Sequence, residues 1–471
     1  MKKIRQLKQI TLFCLFFIFS SVSIAQVPVL WGVASAGGAF NKGSIFKVNG
    51  DGTNFSVVHS FDSINGSVPR SSLCLANNGN LYGMCQFGGA HNAGILYVFN
   101  PSNSTFSKIL DFDNLNGGYP WGTMIKAANG MLYGSTYGGG TGGGGIIFRL
   151  NPNTHVYSIL YGLNQLSDGG SITDKLLEAS NGKLYGMAAY GGANGEGTIF
   201  SFDPSNNTFT KLHDFNGING GTPYGSLLEA TDGFLYGMTY DGGSNNKGVF
   251  FKLQLSTGIF TKIFDFNGTN GNNPWNSLIQ VTPTKLYGMC SSATASGGII
   301  FEYDLLTGMA ANVYSFNFIT DGFIPWGSLL KGSDNNLYGT LSSGPVSNTG
   351  AVFKYNYLSN TFSSVHQFVM SEGNNLSGHL VESGTVASVH EINTNPVYVY
   401  PNPFKEKISI QLPSGIKEIK ATLYSMNGQL LMEQTIVDSN VELETTTLSP
   451  GMYLLKFEHS SFSQMVKLIK Y

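Results

Sequence analysis

The feature that most constrains this chain is the tripeptide Leu-Tyr-Gly, which recurs six times at a nearly constant spacing. Leu30-Trp31-Gly32 is a seventh copy with tryptophan in the tyrosine position, and successive aromatic residues are 51 or 52 residues apart. A repeat of this length, built from short apolar runs and glycine-rich turns, is typical of β-sheets arranged around a common axis. The tyrosines of the six copies are Tyr82, Tyr133, Tyr185, Tyr236, Tyr287 and Tyr338.

Each repeat contains four short runs that read as strands, which in one repeat are residues 175–179, 184–188, 197–202 and 209–215. An Asn-Gly or Asp-Gly pair between the first two runs predicts a type I′ turn and an antiparallel hairpin. The Leu-Tyr-Gly strand is then second in a four-stranded sheet, and we expect its glycine to let the next sheet approach closely. The pairs are Asn78-Gly79, Asn129-Gly130, Asn181-Gly182 and Asp232-Gly233.

The two ends of the repeat region predict how the array closes. The first sheet lacks a first strand, because residues 29–35 already read as a second strand. Residues 378–382 form a spare apolar run after the last complete repeat. We expect this run to be the missing innermost strand, which pairs the exposed edges. The prediction is an all-β chain with a seven-bladed β-propeller over residues 26–383.

Residues 1–25 have the composition of a secretory signal peptide, with a basic start, a short apolar run and small residues before Gln26. Its removal leaves 22 basic and 28 acidic residues, a net charge of −6, with no basic cluster. We therefore expect no nucleic-acid partner and no transmembrane segment in the mature chain. Cys74, Cys85 and Cys290 remain, and we expect them to be buried free thiols.

The composition changes at residue 397, after a segment without periodicity at 384–396 that we interpret as a linker. Residues 397–471 hold 14 charged residues and 3 glycines, whereas residues 26–396 hold 36 charged residues and 58 glycines. Seven strand-like runs in these last 75 residues predict a small Ig-like β-sandwich.

Residues 399–404 read Val-Tyr-Pro-Asn-Pro-Phe, and residues 448–456 read Leu-Ser-Pro-Gly-Met-Tyr-Leu-Leu-Lys. With these motifs the C-terminal residues resemble a type IX secretion C-terminal sorting domain. The resemblance implies export across the outer membrane, with residues 397–471 recognised by the type IX secretion machinery and by a sortase-like protease. The protein would then be secreted or held at the cell surface. The motif residues are Tyr400, Pro401, Asn402, Pro403, Gly428, Gly451, Tyr453, Lys467 and Lys470.

The repeats resemble the "GloVer" choice-of-anchor tandem-repeat proteins. The resemblance rests on Leu-Tyr-Gly, on the Gly-Gly loops and on Gly-x-Ile-Phe runs such as residues 43–46. It implies a propeller joined to an interchangeable surface-anchoring tail, and it implies no particular activity.

One position of the repeat, at the start of the first strand, holds three of the four tryptophans. In a propeller this position would lie at the central opening of the face formed by the glycine-rich loops, where aromatic rings could stack on a ligand. The alternative is that these side chains are structural plugs between neighbouring sheets. The candidate ligand-binding residues are Arg70, Trp121, Tyr224, Trp275 and Trp326, with Thr173 and Ser377 at the same position of the other two repeats.

Other residues suggest chemistry only weakly. Asn- and Asp-containing loops such as residues 113–118 could be interpreted as calcium sites, but calcium prefers several carboxylates. Asp111, Asp214 and Asp265 read as solvated charges on edge strands, and the eight histidines share no repeat position. We expect no catalytic residues, no metal and no cofactor.

These patterns favour an exported binding or adhesion module whose ligand is a glycan or a protein. An extracellular propeller enzyme acting on glycans, a hydrolase or a lyase, is one alternative. A structural surface-layer component is the other. Binding is favoured over catalysis because the variable loops add few carboxylates, and acid–base catalysis on glycans needs two.

Overall fold

The chain is all-β in a computed structural model that describes residues 26–345, 349–387, 397–412, 418–425, 429–437, 440–459 and 462–471. These residues contain strands and turns but no helix. The chain divides into two compact units, one ending at Ala387 and one beginning at Ser388. The predicted signal peptide, Gly428 and most of the predicted linker lie outside the described residues.

The first unit contains 28 strands in its described residues 26–345 and 349–387. In chain order they are β1 (Gln26–Ala34), β2 (Ser44–Asn49), β3 (Ser56–Ser60), β4 (Cys74–Leu75), β5 (Leu81–Cys85), β6 (Ile95–Asn100), β7 (Thr105–Asp111), β8 (Ile125–Lys126), β9 (Leu132–Ser135), β10 (Gly143–Leu150), β11 (Tyr157–Asn164), β12 (Leu177–Glu178), β13 (Leu184–Ala188), β14 (Thr198–Asp203), β15 (Thr208–Asp214), β16 (Leu228–Glu229), β17 (Phe234–Met238), β18 (Val249–Gln254), β19 (Phe260–Asp265), β20 (Ile279–Thr282), β21 (Lys285–Cys290), β22 (Ile299–Asp304), β23 (Met309–Ser315), β24 (Leu330–Lys331), β25 (Leu337–Leu341), β26 (Ala351–Asn356), β27 (Thr361–Gln367) and β28 (Val381–Ala387).

These strands form seven antiparallel sheets of four strands each within the described part of the unit, an arrangement that is propeller-like. Six sheets take consecutive strands, from β4–β7 to β24–β27. The seventh has the order β28-β1-β2-β3, so both ends of the unit share one sheet. The second strand of each consecutive sheet carries Leu-Tyr-Gly and is buried on both faces, as predicted.

The shared sheet confirms the predicted pairing of the two ends, with a shift in where the strand begins. Residues 378–382 were expected to pair, but β28 begins at Val381, which lies opposite Trp31. The preceding His379 instead bonds through its backbone N–H to the Ser72 hydroxyl at 2.5 Å. The strand also continues to Ala387, four residues into the segment predicted to be the linker.

The hairpins between first and second strands are present, but the predicted type I′ turn is wrong. In the first of them Gly79 N–H bonds to Ala76 C=O, and Gly79 has a φ of 78° while Asn78 keeps a negative φ. This is a type I turn followed by a left-handed glycine. The Asn78 side chain donates a hydrogen bond to the buried Tyr82 hydroxyl at 3.1 Å. The Asn recurs in the repeat because it supplies a hydrogen-bond partner for the buried Tyr hydroxyl.

The glycine of Leu-Tyr-Gly accommodates an aromatic ring of its own sheet, and the expected close approach of the next sheet is not its main role. Gly186 lies opposite Phe200 in the strand pair β13–β14. A Cβ atom at Gly186 would lie 2.4 Å from Cζ of Phe200. In the same way, a Cβ atom at Gly237 would lie 2.5 Å from Cζ of Phe251. Glycine is needed because the ring of the third strand lies across it.

The fourth strands stack on one another from sheet to sheet, and this corrects the statement that the histidines share no position. His213 of β15 stacks on Phe260 of β19, with ring centroids 4.0 Å apart. His366 stacks in the same way on Phe55, which connects the last repeat to the first. Burial lowers the pKa of His213. Equivalent stacked pairs are His59–Phe106, Tyr161–Phe209 and Tyr314–Phe362.

The second unit has two sheets that pack around one core in its described residues. One sheet has the order β29-β30-β33 and the other β32-β31-β34-β35. Ile408 and Ile410 from the first sheet share a buried cluster with Leu455 and Phe457 from the second. The strands are β29 (Tyr398–Tyr400), β30 (Lys407–Gln411), β31 (Ile419–Ser425), β32 (Leu430–Ile436), β33 (Asn440–Glu444), β34 (Gly451–His459) and β35 (Phe462–Lys470).

Candidate functional site

The chain turns sharply just before each first strand, at a residue with positive φ. Val68 has a φ of 54° and Ile324 a φ of 59°, which is unusual for β-branched residues. The backbone N–H of Ile324 bonds to the Gly297 carbonyl of the preceding sheet at 2.9 Å, which holds the turn. The other residues at this position are Tyr119, Ser171, Thr222, Asn273 and Asn375.

The loop that enters each sheet also pairs with the loop between that sheet's second and third strands. Gly118 and Gly138, for example, exchange backbone hydrogen bonds of 2.8 and 3.0 Å. These two loop types therefore lie at the same end of the strands, as expected from the sequence. The equivalent bridges are Ser67–Phe87, Gly170–Tyr190, Gly221–Asp241, Asn272–Ser292, Phe323–Ser343 and Ala36–Asn374.

The seven residues that follow these turns line a single cavity, which we call the central mouth. Its volume is about 20 Å³, room for water but not for a whole sugar ring or peptide. The sequence-predicted ligand residues are thus brought together from separate sheets. The residues of the central mouth are Arg70, Trp121, Thr173, Tyr224, Trp275, Trp326 and Ser377.

The aromatic rings of the central mouth contact one another. Trp275 stacks on Tyr224 with centroids 4.1 Å apart, and it lies 5.6 Å from the Trp326 ring. Trp121, three repeats away from Trp275 in sequence, lies 6.3 Å from it. All these side chains are half-buried, so part of each ring remains accessible. The Arg70 guanidinium lies over the Trp121 ring at 4.5 Å, a cation–π contact.

A second set of residues, two positions further along six of the seven repeats, forms what we call the inner polar ring. Within it the backbone N–H of one repeat donates to the side chain of the next, as from Ser277 to Ser328 at 2.8 Å. The same contact joins His379 to Ser72 and so crosses the closure of the array. The residues of this ring are Ser72, Thr123, Ser226, Ser277, Ser328 and His379. Lys175 holds the equivalent position in the repeat of Thr173.

Asp174 lies one position earlier in its repeat than the ring residues do, and it bonds across the ring to Ser277. Its carboxylate accepts a short hydrogen bond from the Ser277 hydroxyl, and its other oxygen lies 3.1 Å from Nε2 of His379. The His379 contact is an ion-pair distance without hydrogen-bond geometry. Burial raises the pKa of Asp174, but His379, Lys175 and the Ser277 hydroxyl outweigh burial and leave the pKa below its usual value.

The other candidates from the sequence have structural contacts. Asp214 is not simply solvated, because it pairs with Lys211 at 2.9 Å and accepts a backbone hydrogen bond from Ala193 at 2.8 Å. In the loop interpreted as a calcium site, Asp113 accepts the backbone N–H of Asn116 at 2.8 Å. These oxygens are used to hold loops.

In the described residues, no three His, Cys, Asp or Glu side chains are placed to hold a metal ion. The same residues contain no helix of the length and hydropathy needed to cross a membrane. Cys74, Cys85 and Cys290 are free and buried, as predicted.

The sorting motifs from opposite ends of the second unit meet in its fold. Oδ1 of Asn402 accepts the backbone N–H of Ile469 at 2.9 Å. Lys470 is buried over the Phe404 ring, and its ammonium group donates to the Thr445 carbonyl. The peptide bonds before Pro401 and Pro403 are cis. Tyr400 and Gly451 are exposed, Tyr453 donates to the Ser449 carbonyl, and Lys467 lies on β35.

The inner polar ring was missed in the sequence, although a signal for it is present. Five serine or threonine residues and His379 occupy the same position in six repeats, and Lys175 occupies it in the repeat that contains Asp174. Asp174 and His379 both line the central mouth cavity.

Comparison with known proteins gives matches over both units. Residues 20–178, 113–296 and 173–390 match the Gloeobacter/Verrucomicrobia repeat family. Residues 398–471 match the secretion system C-terminal sorting domain. No curated protein matches the chain.

Solved structures show a likeness of fold. A hypothetical selenium-binding protein from Sulfolobus tokodaii superposes with a TM-score of 0.53 at 14% identity, covering 77% of this chain and 95% of its own. PorZ of Porphyromonas gingivalis, an essential surface component of its type IX secretion system, gives a TM-score of 0.46 at 14% identity and covers 91% of this chain. TolB of Acinetobacter baumannii gives 0.39 at 12% identity and covers 60% of this chain. The chain spans 63% of the length of both PorZ and TolB.

Proposed function

Because the chain belongs to the Gloeobacter/Verrucomicrobia repeat family and ends in a secretion system C-terminal sorting domain, we propose that it is an exported binding module with its ligand site at the central mouth. The sorting domain makes it a secreted, cell-surface protein. In this proposal residues 1–25 are a signal peptide, residues 26–387 are a seven-bladed propeller closed by β28, and residues 397–471 are an Ig-like sandwich. The pairing of β28 with β1 supports the closed ring.

The observation that carries the proposal is the convergence of half-buried aromatic rings at one cavity. Trp121, Trp275 and Trp326 come from three separate sheets, and no single sheet needs them for its own core. Large aromatic side chains that stay partly exposed around an opening are typical of sites that bind a glycan or a protein segment. The size of the cavity indicates that a ligand would lie on the mouth with only an end group inside.

Binding is favoured over catalysis by the carboxylates of the mouth. Asp174 is the one acidic residue that lines the cavity among the described residues, and its oxygens already contact Ser277 and His379. Hydrolysis of a glycosidic bond needs two carboxyl groups about 5–9 Å apart on either side of the bond. A single engaged carboxylate does not provide this arrangement.

Export places the module where its ligand would be. The sorting domain implies interaction with the type IX secretion machinery. We further propose that a sortase-like protease removes residues 397–471 after export, and that the propeller then acts outside the cell on a glycan or protein partner.

The test is binding of the purified mature protein to arrays of glycans and of surface proteins. A Trp121→Ala/Trp326→Ala double variant should lose at least tenfold in affinity for any ligand found. Leu358→Ala is the control, because this exposed side chain lies in the turn between β26 and β27, at the opposite end of the strands. Equal binding by the double variant would refute the mouth as the site, and turnover of a bound glycan would establish an enzyme instead.

A further inference from the structure

Arg70 is the exceptional residue of the central mouth. The other six positions hold aromatic or hydroxyl side chains, whereas Arg70 carries a permanent charge. Arginine is rare in this chain, since only Arg70 and Arg149 follow residue 25, against 20 lysines. A guanidinium differs from an ammonium in that it stacks on an aromatic face and binds a carboxylate with two parallel hydrogen bonds. Arg70 stacks on the Trp121 ring, but it forms no hydrogen bonds to a carboxylate within the described residues.

The Arg70 guanidinium has no anionic partner within the described part of the chain. Its Nε is buried without a hydrogen bond. Burial lowers the pKa of Arg70, and no neighbouring carboxylate counters this effect. A desolvated cation without a counter-ion is unfavourable in a folded protein, so a position of this kind is suited to receive an anion.

The acidic residue of the cavity does not supply that anion. Asp174 is engaged by the Ser277 hydroxyl and by His379, and it forms no ion pair with Arg70. The cavity wall has a further unused polar group, because Oγ of Ser377 is also buried without a hydrogen-bond partner. The mouth therefore combines an unpaired cation, an unpaired hydroxyl and half-buried indole rings.

We propose that the central mouth binds a carboxylated sugar residue of an acidic glycan, with Arg70 on the carboxylate and the indoles of Trp121 and Trp326 on the apolar face of the sugar ring. This inference rests on the proposed binding function and names its ligand class. The planar carboxylate matches the guanidinium fork. The small cavity admits the carboxylate while the ring stays on the mouth.

A sugar fits these observations better than the carboxyl terminus of a peptide. A pyranose ring is rigid and presents a flat face of C–H groups that can lie against an indole. A peptide end would have to order several rotatable bonds, and this loss of conformational freedom opposes binding. Trp275 lies 6.3 Å from Trp121 and 5.6 Å from Trp326, so the three indoles together provide flat surface beside the cavity.

The experiment measures binding of the mature protein to oligosaccharides that contain glucuronate, galacturonate, mannuronate or iduronate. The same oligosaccharides with carboxyl groups reduced to alcohols, sulfated neutral sugars and peptides with free carboxyl termini form the other arms. Arg70→Gln removes the charge and Arg149→Gln is the matched control outside the mouth. We expect Arg70→Gln to weaken uronate binding about 10- to 100-fold, as for a hydrogen bond to a charged group. Binding by the unaltered protein should also weaken as salt is raised.

The possible outcomes distinguish a carboxylated sugar from the other ligands. Uronate binding that is lost on carboxyl reduction and in Arg70→Gln, but kept in Arg149→Gln, supports the proposal. If Arg70→Gln misfolds, the loss on carboxyl reduction and the salt dependence of the unaltered protein decide alone. Equal binding of reduced sugars, with loss in Trp121→Ala/Trp326→Ala, overturns the acidic ligand and leaves the binding function standing. Preference for sulfated sugars or for peptides overturns the carboxylated sugar. No binding in any arm overturns the carboxylated sugar, and the glycan and protein arrays then decide the binding function separately.

Discussion

Replacement of Gly186 by alanine tests the role assigned to the repeated glycine. The new Cβ would lie 2.4 Å from Cζ of Phe200 and 2.8 Å from Cδ2 of Leu176, both fully buried. Ordinary carbon contacts are about 3.5–4.0 Å, so at least one neighbour must move by about 1 Å. Overpacking of this kind costs about 1–3 kcal/mol. The lower entropy of the unfolded chain offsets about 0.4–1 kcal/mol of this. The expected net loss is therefore about 1–2 kcal/mol in the free energy of unfolding.

Urea unfolding followed by tryptophan fluorescence measures this loss in the first unit alone, because all four tryptophans lie before residue 388. Gly162→Ala is the matched control, since this strand glycine would place its Cβ no closer than 3.5 Å to Oγ1 of Thr141. We expect that control to be neutral or slightly stabilising. If Gly186→Ala were as mild as Gly162→Ala, the ring of Phe200 would not be the reason for the glycine.

Three further predictions concern titration, thiols and export. The pKa of His213 is lowered in the folded protein, so the stability that His213 supports above its unfolded pKa of about 6.5 is lost as pH falls through the folded pKa. The His213→Phe variant should therefore lose less free energy of unfolding than the unaltered protein between pH 7 and pH 5 in urea titrations. An equal loss in both proteins would contradict this. Burial raises the pKa of Cys85 and Cys290, so a thiol reagent at pH 8 should label neither until urea unfolds the chain, and rapid labelling of the folded protein would be inconsistent with their burial. Deletion of residues 398–471 should leave the protein inside the outer membrane, as judged by immunoblots of cell fractions, and its appearance in the medium would contradict the sorting role.

The spacing of Leu-Tyr-Gly predicted the sheets because the length of the repeat can be read from the sequence without knowing the conformation of each turn. The spare run near residue 380 predicted which strands pair, since an incomplete first sheet requires a partner from the other end. The turn type was wrong because Asn-Gly pairs favour type I′ only when nothing else competes for the asparagine. Here the buried Tyr82 hydroxyl takes the Asn78 side chain, a contact that is visible only once the hairpin exists.

The positions of the central mouth were predicted and the inner polar ring was missed, for reasons of residue type. Tryptophan is rare, so its recurrence at one repeat position drew attention to Trp121, Trp275 and Trp326. Serine and threonine are common in loops, and their use as acceptors for the next repeat's backbone N–H depends on how sheets sit side by side. The shared position of the histidines was overlooked, although His59, His213 and His366 each lie two residues before a phenylalanine that directly follows a fourth strand. Tyr161 fills the equivalent stacked position in another repeat.

The inner polar ring links the architecture to the proposed site. Hydrogen bonds from Ser72 to Thr123 at 2.9 Å and from His379 to Ser72 connect neighbouring repeats directly beneath the mouth residues. A site assembled from separate sheets holds its geometry only if those sheets cannot shift against one another, and side chains fixed before binding lose less entropy on binding. Asp174 adds a contact across the ring to Ser277, two repeats away. The hydrogen bonds of the inner polar ring therefore hold the repeats that carry the aromatic rings and Arg70 in fixed positions. The geometry of the mouth is then set before a ligand binds.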